Sequence, residues 1–324
     1  MAITMAQALN TALHDAMEAD DKVVMFGEDV GKLGGVFRIT DKLQERFGDK
    51  RCFDTPLAES GIVGTAIGMA LYGYKPVVEM QFDGFTYPAF EQIVSHLAKL
   101  RNRSRGTVTV PVVIRIPYGG GIGAVEHHSE SPENFFCHVA GLKVVSPGTP
   151  SDGYSLLREA VTSADPVLFF EPKRRYWLKE EADLPASTEP FGTAVVRREG
   201  TTASLFCYGP MVRTCLDAAA AAEDEGWDLE VVDLRTLVPL DVRTVTASVE
   251  KTGRALVVHE AQVFSGFGAE LAAQVTERCF YHLEAPVLRV GGFDVPYPPA
   301  KLEEYFLPDT DRILDTVERS LSFV

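Results

Sequence analysis

Short runs of β-branched and aromatic residues alternate along this chain with stretches of helical periodicity, and that alternation constrains the fold more than any other feature. Val23 to Phe26, Val77 to Met80, Val110 to Ile116, Leu142 to Val145 and Val167 to Phe170 are dominated by apolar residues, the pattern of strands covered on both faces. Apolar residues recur at helical spacing over Met5 to Ala19, where Thr4 is a candidate cap, and over Ile62 to Leu71, Ala89 to Asn102 and Tyr154 to Thr162. From Lys179 to Thr202 the pattern loosens into charged and turn-forming residues, including Pro185, Pro190 and Gly192, which reads as a linker. Beyond it, strand patterns return at Ser204 to Tyr208, Leu229 to Val232, Ala255 to Val258 and Val287 to Val290. Helical patterns lie at Arg213 to Glu223 and Ala269 to Arg278. The expected fold is α/β, in layers with largely parallel sheets.

With 324 residues, the chain is long enough for two domains, each burying a core of its own. Its 46% hydrophobic and 24% charged residues exclude disordered and collagen-like classes. A net charge of −15 argues against nucleic acid or an anionic membrane as the main partner, since either needs a basic surface. The start, Met-Ala-Ile-Thr-Met-Ala-Gln, lacks the basic and apolar segments of a secretory signal, and no run approaches the ~20 apolar residues that cross a bilayer. The five cysteines, Cys52, Cys137, Cys207, Cys215 and Cys279, are scattered and never paired as C-x-x-C. That spacing suits reduced thiols in a cytoplasm rather than a disulfide frame or a zinc site.

A P-loop, a G-x-S-x-G elbow and an H-E-x-x-H pair are all missing. The run Gly119-Gly-Gly-Ile-Gly-Ala124 follows a strand and superficially resembles a dinucleotide fingerprint, but Val125-Glu126-His127-His128 shows no clean helix start. It reads either as a nicotinamide site or as a flexible loop at the carboxyl end of a strand, where α/β sheets bind ligands.

Three further segments carry candidate chemistry. Glu59, at a turn into a helix, either complements the helix dipole or, desolvated by Leu57, Ile62 and Val63, has a raised pKa and hydrogen-bonds a heterocyclic nitrogen. Phe85, in Glu79-Met-Gln-Phe-Asp-Gly-Phe85 at a strand end, is core packing or a stacking surface for a flat ring. His127-His128 is a structural pair or a proton relay.

Together, several segments resemble the beta subunit of the thiamin diphosphate-dependent 2-oxo acid dehydrogenases. They are Phe26-Gly-Glu-Asp-Val30, Gly34-Gly-Val-Phe37, Asp54-Thr-Pro-Leu-Ala-Glu-Ser-Gly-Ile-Val-Gly64, Glu79-Met-Gln-Phe82, Tyr87-Pro-Ala-Phe-Glu-Gln-Ile-Val94, His128-Ser-Glu-Ser-Pro-Glu133, Gly141-Leu-Lys-Val-Val-Ser-Pro147 and Phe169-Phe-Glu-Pro-Lys173. The likeness continues through Asp233-Leu-Arg-Thr-Leu-Val-Pro-Leu240 and Gly292-Phe-Asp-Val-Pro-Tyr297. Phe-Phe-Glu-Pro-Lys, Gly-Ile-Val-Gly and Pro-Ala-Phe-Glu-Gln-Ile-Val are more similar to branched-chain than to pyruvate members.

The resemblance implies two doubly wound domains: a pyrimidine-binding thiamin diphosphate domain over 1–183, a linker over 184–200 and a transketolase C-terminal-like domain over 201–324. It implies that Glu59 hydrogen-bonds the cofactor's aminopyrimidine ring, that Phe85 packs on that ring, that Glu28, Leu57 and Gln81 line the pocket, and that His128 is the active-site histidine. Potassium held by backbone carbonyls would fall at Val112, Ala160, Ser163 and Asp165. The Gly-Asp-Gly motif that binds magnesium diphosphate in such enzymes is absent, Gly48-Asp49 continuing to Lys50. The implied remedy is an alpha subunit that brings magnesium and the diphosphate half, two alpha with two beta chains, with the second domain serving assembly and docking of the dihydrolipoyl acyltransferase core. The expected activity is oxidative decarboxylation of a branched-chain 2-oxo acid with acyl transfer to a lipoyl group. Competing readings are a pyruvate dehydrogenase beta subunit, a non-catalytic assembly subunit and a nicotinamide oxidoreductase.

Overall fold

Val23 to Phe26 are all at most 2% exposed, as a strand in the middle of a doubly covered sheet must be. In the computed structural model, which describes residues 2–323, that strand (Val23–Gly27) lies within a seven-stranded sheet. The order is Thr236–Val238, Lys143–Val145, Val167–Pro172, Val113–Tyr118, Lys75–Glu79, Val23–Gly27, Cys52–Asp54. All neighbours are parallel except the first pair. A second sheet runs Leu288–Gly292, Ala255–Gln262, Ala203–Cys207, Leu229–Asp233, Val195–Arg198, parallel except for the last strand. The fold is therefore two α/β domains with mostly parallel sheets.

The helix Met5–Ala19 begins where expected. Thr4 Oγ1 accepts from Gln7 N at 3.2 Å while Thr4 N donates to Gln7 Oε1 at 2.9 Å, a reciprocal capping box. Met5, Leu9, Leu13 and Met17 form one buried stripe that packs on the helix Pro150–Thr162.

Elsewhere the structure departs from the sequence reading. Ala89 to Asn102 is not one helix but a wide turn at Gln92–His96, a tight turn at Leu97–Lys99 and a single α turn at Leu100–Arg103. The break falls where a neighbouring loop intrudes: Gly141 abuts Ala98 O, and Lys99 Nζ donates to Ala140 O at 3.0 Å. Two short strands emerge from the stretch read as a linker. Lys179–Glu181 pairs antiparallel with Ala2–Thr4, and Val195–Arg198 edges the second sheet. Helices Val242–Thr252 and Thr310–Leu321 lie outside the helical patterns of the sequence, and so does the strand Thr236–Val238, which leaves the second domain to extend the first sheet. No helix among the described residues is long and apolar enough to cross a membrane.

Candidate functional site

The carboxyl ends of five adjacent strands in the first sheet share one edge, the position at which parallel sheets open to ligands. Glu59 opens the helix that follows Cys52–Asp54, Glu28 follows Val23–Gly27, and Gln81, Phe82, Asp83 and Phe85 follow Lys75–Glu79. The glycine loop and His128 follow Val113–Tyr118, and Lys173 follows Val167–Pro172.

Glu59 is the first residue of Glu59–Leu71 and is only 6% exposed, at the positive end of the helix dipole. Ile62 and Val63 are buried one turn on, but Leu57 is 76% exposed, so the expected desolvation of Glu59 by Leu57 does not hold in this chain. The chain bends at Leu57 itself, just before the helix, and leaves its side chain exposed. Glu28 is buried, and its Oε1 has no hydrogen-bond partner. Burial holds the Glu28 carboxyl above its ordinary pKa, and the neighbouring charges of Glu59 and Asp29 push the same way. Gln81 Nε2 donates to Asp29 Oδ2 at 2.9 Å, which ties two strand ends together.

Phe85 and His128 are brought together. Their rings are edge-to-face with centroids 5.3 Å apart, and Phe82 lies 4.0 Å from His128 on another side. His128 Nδ1 is buried without a partner. Burial, His127 and Lys173 lower the His128 pKa, which favours a neutral ring able to accept a proton. Beneath it, Asp83 and Lys173 form a wholly buried ion pair. At this sheet edge two buried polar atoms, Glu28 Oε1 and His128 Nδ1, lack hydrogen-bond partners, which fits a ligand bearing ring nitrogens and exchangeable protons.

The glycine loop behaves differently from a dinucleotide fingerprint. Gly119, Gly121 and Gly123 have φ of +81°, +84° and +70°, a left-handed conformation that side chains resist. Three amides of the loop point at the second domain: Gly121 N and Gly123 N donate to the Glu303 carboxylate at 2.8 and 3.0 Å, and Gly120 N donates to Glu260 Oε2 at 3.1 Å. Tyr297 Oη also donates to Glu303, at 2.6 Å. Carboxylates thus hold the donors that a pyrophosphate would need, which counts against a nicotinamide site here.

Sequence reasoning passed over another buried network. Arg115 donates to Glu79 at 2.6 Å and in a bidentate fork to Glu171 at 2.7 and 2.8 Å, while Tyr176 Oη donates to Glu171 at 2.6 Å. Burial pushes the Glu79 carboxyl up against the pull of Arg115. The available signal is a charge set against apolar neighbours in each of three strands, with Glu79 and Arg115 directly paired in register.

Val112, Ala160, Ser163 and Asp165 converge on one turn. Val112 O accepts from Val167 N at 2.9 Å, Ala160 O from Ser163 N at 3.1 Å and Asp165 O from Ser163 Oγ at 2.9 Å. The Lys143 ammonium reaches Ser163 Oγ at 3.0 Å. Among the described residues, no cluster of three or more His, Cys, Asp or Glu is arranged to hold a metal.

The family model "Transketolase, pyrimidine binding domain" matches residues 1–177, and "Transketolase, C-terminal domain" matches 192–313. A solved structure described as a split gene transketolase, inactive beta4 tetramer, superposes with a TM-score of 0.82 at 24% identity, covering 100% of this chain and 99% of that one. Fold and domain matches thus define a two-domain protein of the transketolase type, a class that uses thiamin diphosphate. The 3-methyl-2-oxobutanoate dehydrogenase subunit beta of Mycobacterium tuberculosis is 57% identical over 320 residues, 98% of this chain and 92% of that protein. The pyruvate dehydrogenase E1 component subunit beta of Leifsonia xyli is 56% identical over 321 residues, 99% and 95% of the two chains. The 2-oxoisovalerate dehydrogenase subunit beta of Pseudomonas aeruginosa is 47% identical over 325 residues, covering 94% and 91%. This chain belongs to the beta-subunit family of the thiamin diphosphate-dependent 2-oxo acid dehydrogenases.

Proposed function

We propose that the chain is the beta subunit of the decarboxylating component of a branched-chain 2-oxo acid dehydrogenase complex, with residues 1–183 forming the pyrimidine-binding domain, 184–200 the linker and 201–324 the assembly domain. The carrying observation is that buried Glu59 and Glu28, Gln81 and the Phe85–His128 ring pair all follow the carboxyl ends of adjacent strands on one sheet edge, with Glu28 Oε1 and His128 Nδ1 unpartnered. When bound, thiamin diphosphate supplies the carbon nucleophile and the electron sink for loss of carbon dioxide. Glu59 hydrogen-bonds a pyrimidine nitrogen and so selects the ring's proton arrangement. Phe85 packs on the ring face, Glu28 and Gln81 line its edge, and exposed Leu57 meets the partner chain. His128, with an unpartnered nitrogen, orients the substrate and moves a proton as the acyl unit passes to a lipoyl group of the acyltransferase.

The sequence contains no Gly-Asp-Gly, so an alpha subunit supplies magnesium and the diphosphate half in a two-alpha, two-beta assembly. The chain alone should therefore be inactive. Co-expression with an alpha subunit should yield carbon dioxide release from 2-oxoisovalerate and 2-oxoisocaproate in excess of that from pyruvate. No turnover of any of the three by the assembled complex would overturn the enzyme reading. A preference for pyruvate would favour the second reading, a pyruvate dehydrogenase beta subunit, which the 56% identity to the Leifsonia protein supports.

A further inference from the structure

Lys173 is 1% exposed and Asp83 is 0% exposed, and no other part of the mechanism uses either residue. Lys173 Nζ donates to Asp83 Oδ1 and, at 2.6 Å, to the backbone carbonyl of His128. It also lies 5.5 Å from the centre of the Phe82 ring, which in turn stands 4.0 Å from the His128 imidazole. Asp83 Oδ2 accepts from Glu130 N at 2.9 Å, so the pair grips the histidine loop on both sides of residue 129. Gly84 completes the seat, because a Cβ there would collide with the carbonyl of His127. Taking two charges out of water is a poor means of stabilising a core, since desolvation offsets most of the attraction, and an apolar pair of similar volume does as well. What an apolar pair cannot supply is an ammonium aimed at one carbonyl and a carboxylate aimed at one amide.

We propose that Lys173 and Asp83 are positioning residues for His128: the buried pair seats its backbone and fixes where its imidazole stands in the crevice. The inference rests on the reading of His128 as the active-site histidine. The titratable groups facing that ring are His127 and Glu126 on its own turn and Lys173 from the neighbouring strand end, with Asp83 behind Lys173.

The test uses the full chain reconstituted with its alpha partner, together with hydrogen exchange over residues 119–130 and an NMR titration of His128, assigned with His128→Gln. Lys173→Met should lower kcat about 10- to 100-fold with KM little changed, as a misplaced group does. It should also speed exchange in the loop and move the His128 titration to higher pH, since a neighbouring cation is gone. Asp83→Asn, which keeps an acceptor for Glu130 N, should show the kcat and loop-exchange effects in weaker form, but its His128 titration should move to lower pH, since the ammonium then loses its counter-charge. The double variant should cost no more in kcat than Lys173→Met alone, because the two act as a unit. Unchanged loop exchange and an unchanged His128 titration in either folded variant would overturn the proposal, as would losses that add in the double variant. If Glu59→Gln and His128→Ala abolish turnover while Lys173→Met and Asp83→Asn leave kcat unchanged, the positioning role falls and the functional reading stands. Normal turnover by His128→Ala removes the reading itself.

Discussion

Tyr208, in the second domain, donates a hydrogen bond of 2.6 Å to the carboxyl group of Glu133 in the first. Glu133 is 1% exposed, its second oxygen has no partner, and burial pushes its pKa up to about 8. A carboxyl group in that position keeps its proton at neutral pH. Its folded pKa lies above the unfolded value, so its contribution to stability is complete below about pH 4.5 and is lost as the pH rises through about 8. Glu133→Gln, which needs no proton, should match the native chain near pH 4.5. It should become the more stable of the two by on the order of 1 kcal/mol per pH unit up to pH 8. Urea denaturation of both chains between pH 5 and 8.5 measures this, and parallel curves would contradict it.

The second domain braces the candidate site, because Glu303 and Glu260 hold three amides of the glycine loop that leads into His127 and His128. Glu303→Ala leaves Gly121 N, Gly123 N and Tyr297 Oη without their acceptor, at a cost of about 2–4 kcal/mol. Proteolysis within residues 119–125 should accelerate in this variant, while far-UV circular dichroism stays unchanged. A loop as resistant as in the native chain would show that other contacts hold it.

Arg115 is wholly buried between Glu79 and Glu171. Arg115→Met strands two acidic groups in the centre of the first sheet, and breaking such a set costs about 3–5 kcal/mol. The midpoint of chemical unfolding should fall accordingly. Adding Glu79→Gln and Glu171→Gln to Arg115→Met should recover part of the loss, because the uncompensated charges are then gone.

Glu59→Gln in the reconstituted complex should lower decarboxylation by about 100-fold or more, the range lost with a positioned proton-handling group. Thermal unfolding should stay within a few degrees of the native chain, since no hydrogen bond of the fold runs through the Glu59 side chain among those the structure shows. Near-normal turnover would remove Glu59 from the mechanism.

Much of the fold was legible in the residues because its signals are local. The box of Thr4 and Gln7, the apolar runs at Val23 and Val167 and the stripe of Met5, Leu9 and Leu13 each lie within a few positions of one another. Short strands escaped notice because three residues such as Thr236–Val238 carry no period to read. The motif-bearing residues of the crevice were legible too, since each stands just beyond a strand end. The outward turn of Leu57 was not, because nothing in Pro56-Leu57-Ala58 says which way the chain bends.

Alone, the sequence determined the layered α/β class, the strands that fill the sheets and the family to which the chain belongs. Tertiary structure alone decided which charges meet. Arg115 finds Glu171 across 56 positions, Lys173 finds Asp83 across 90, and Gly123 finds Glu303 across 180. Such pairings depend on the order of strands in a sheet and on how two domains lean together. A carboxylate carries no mark of its partner until burial removes water and leaves a single neighbour within reach.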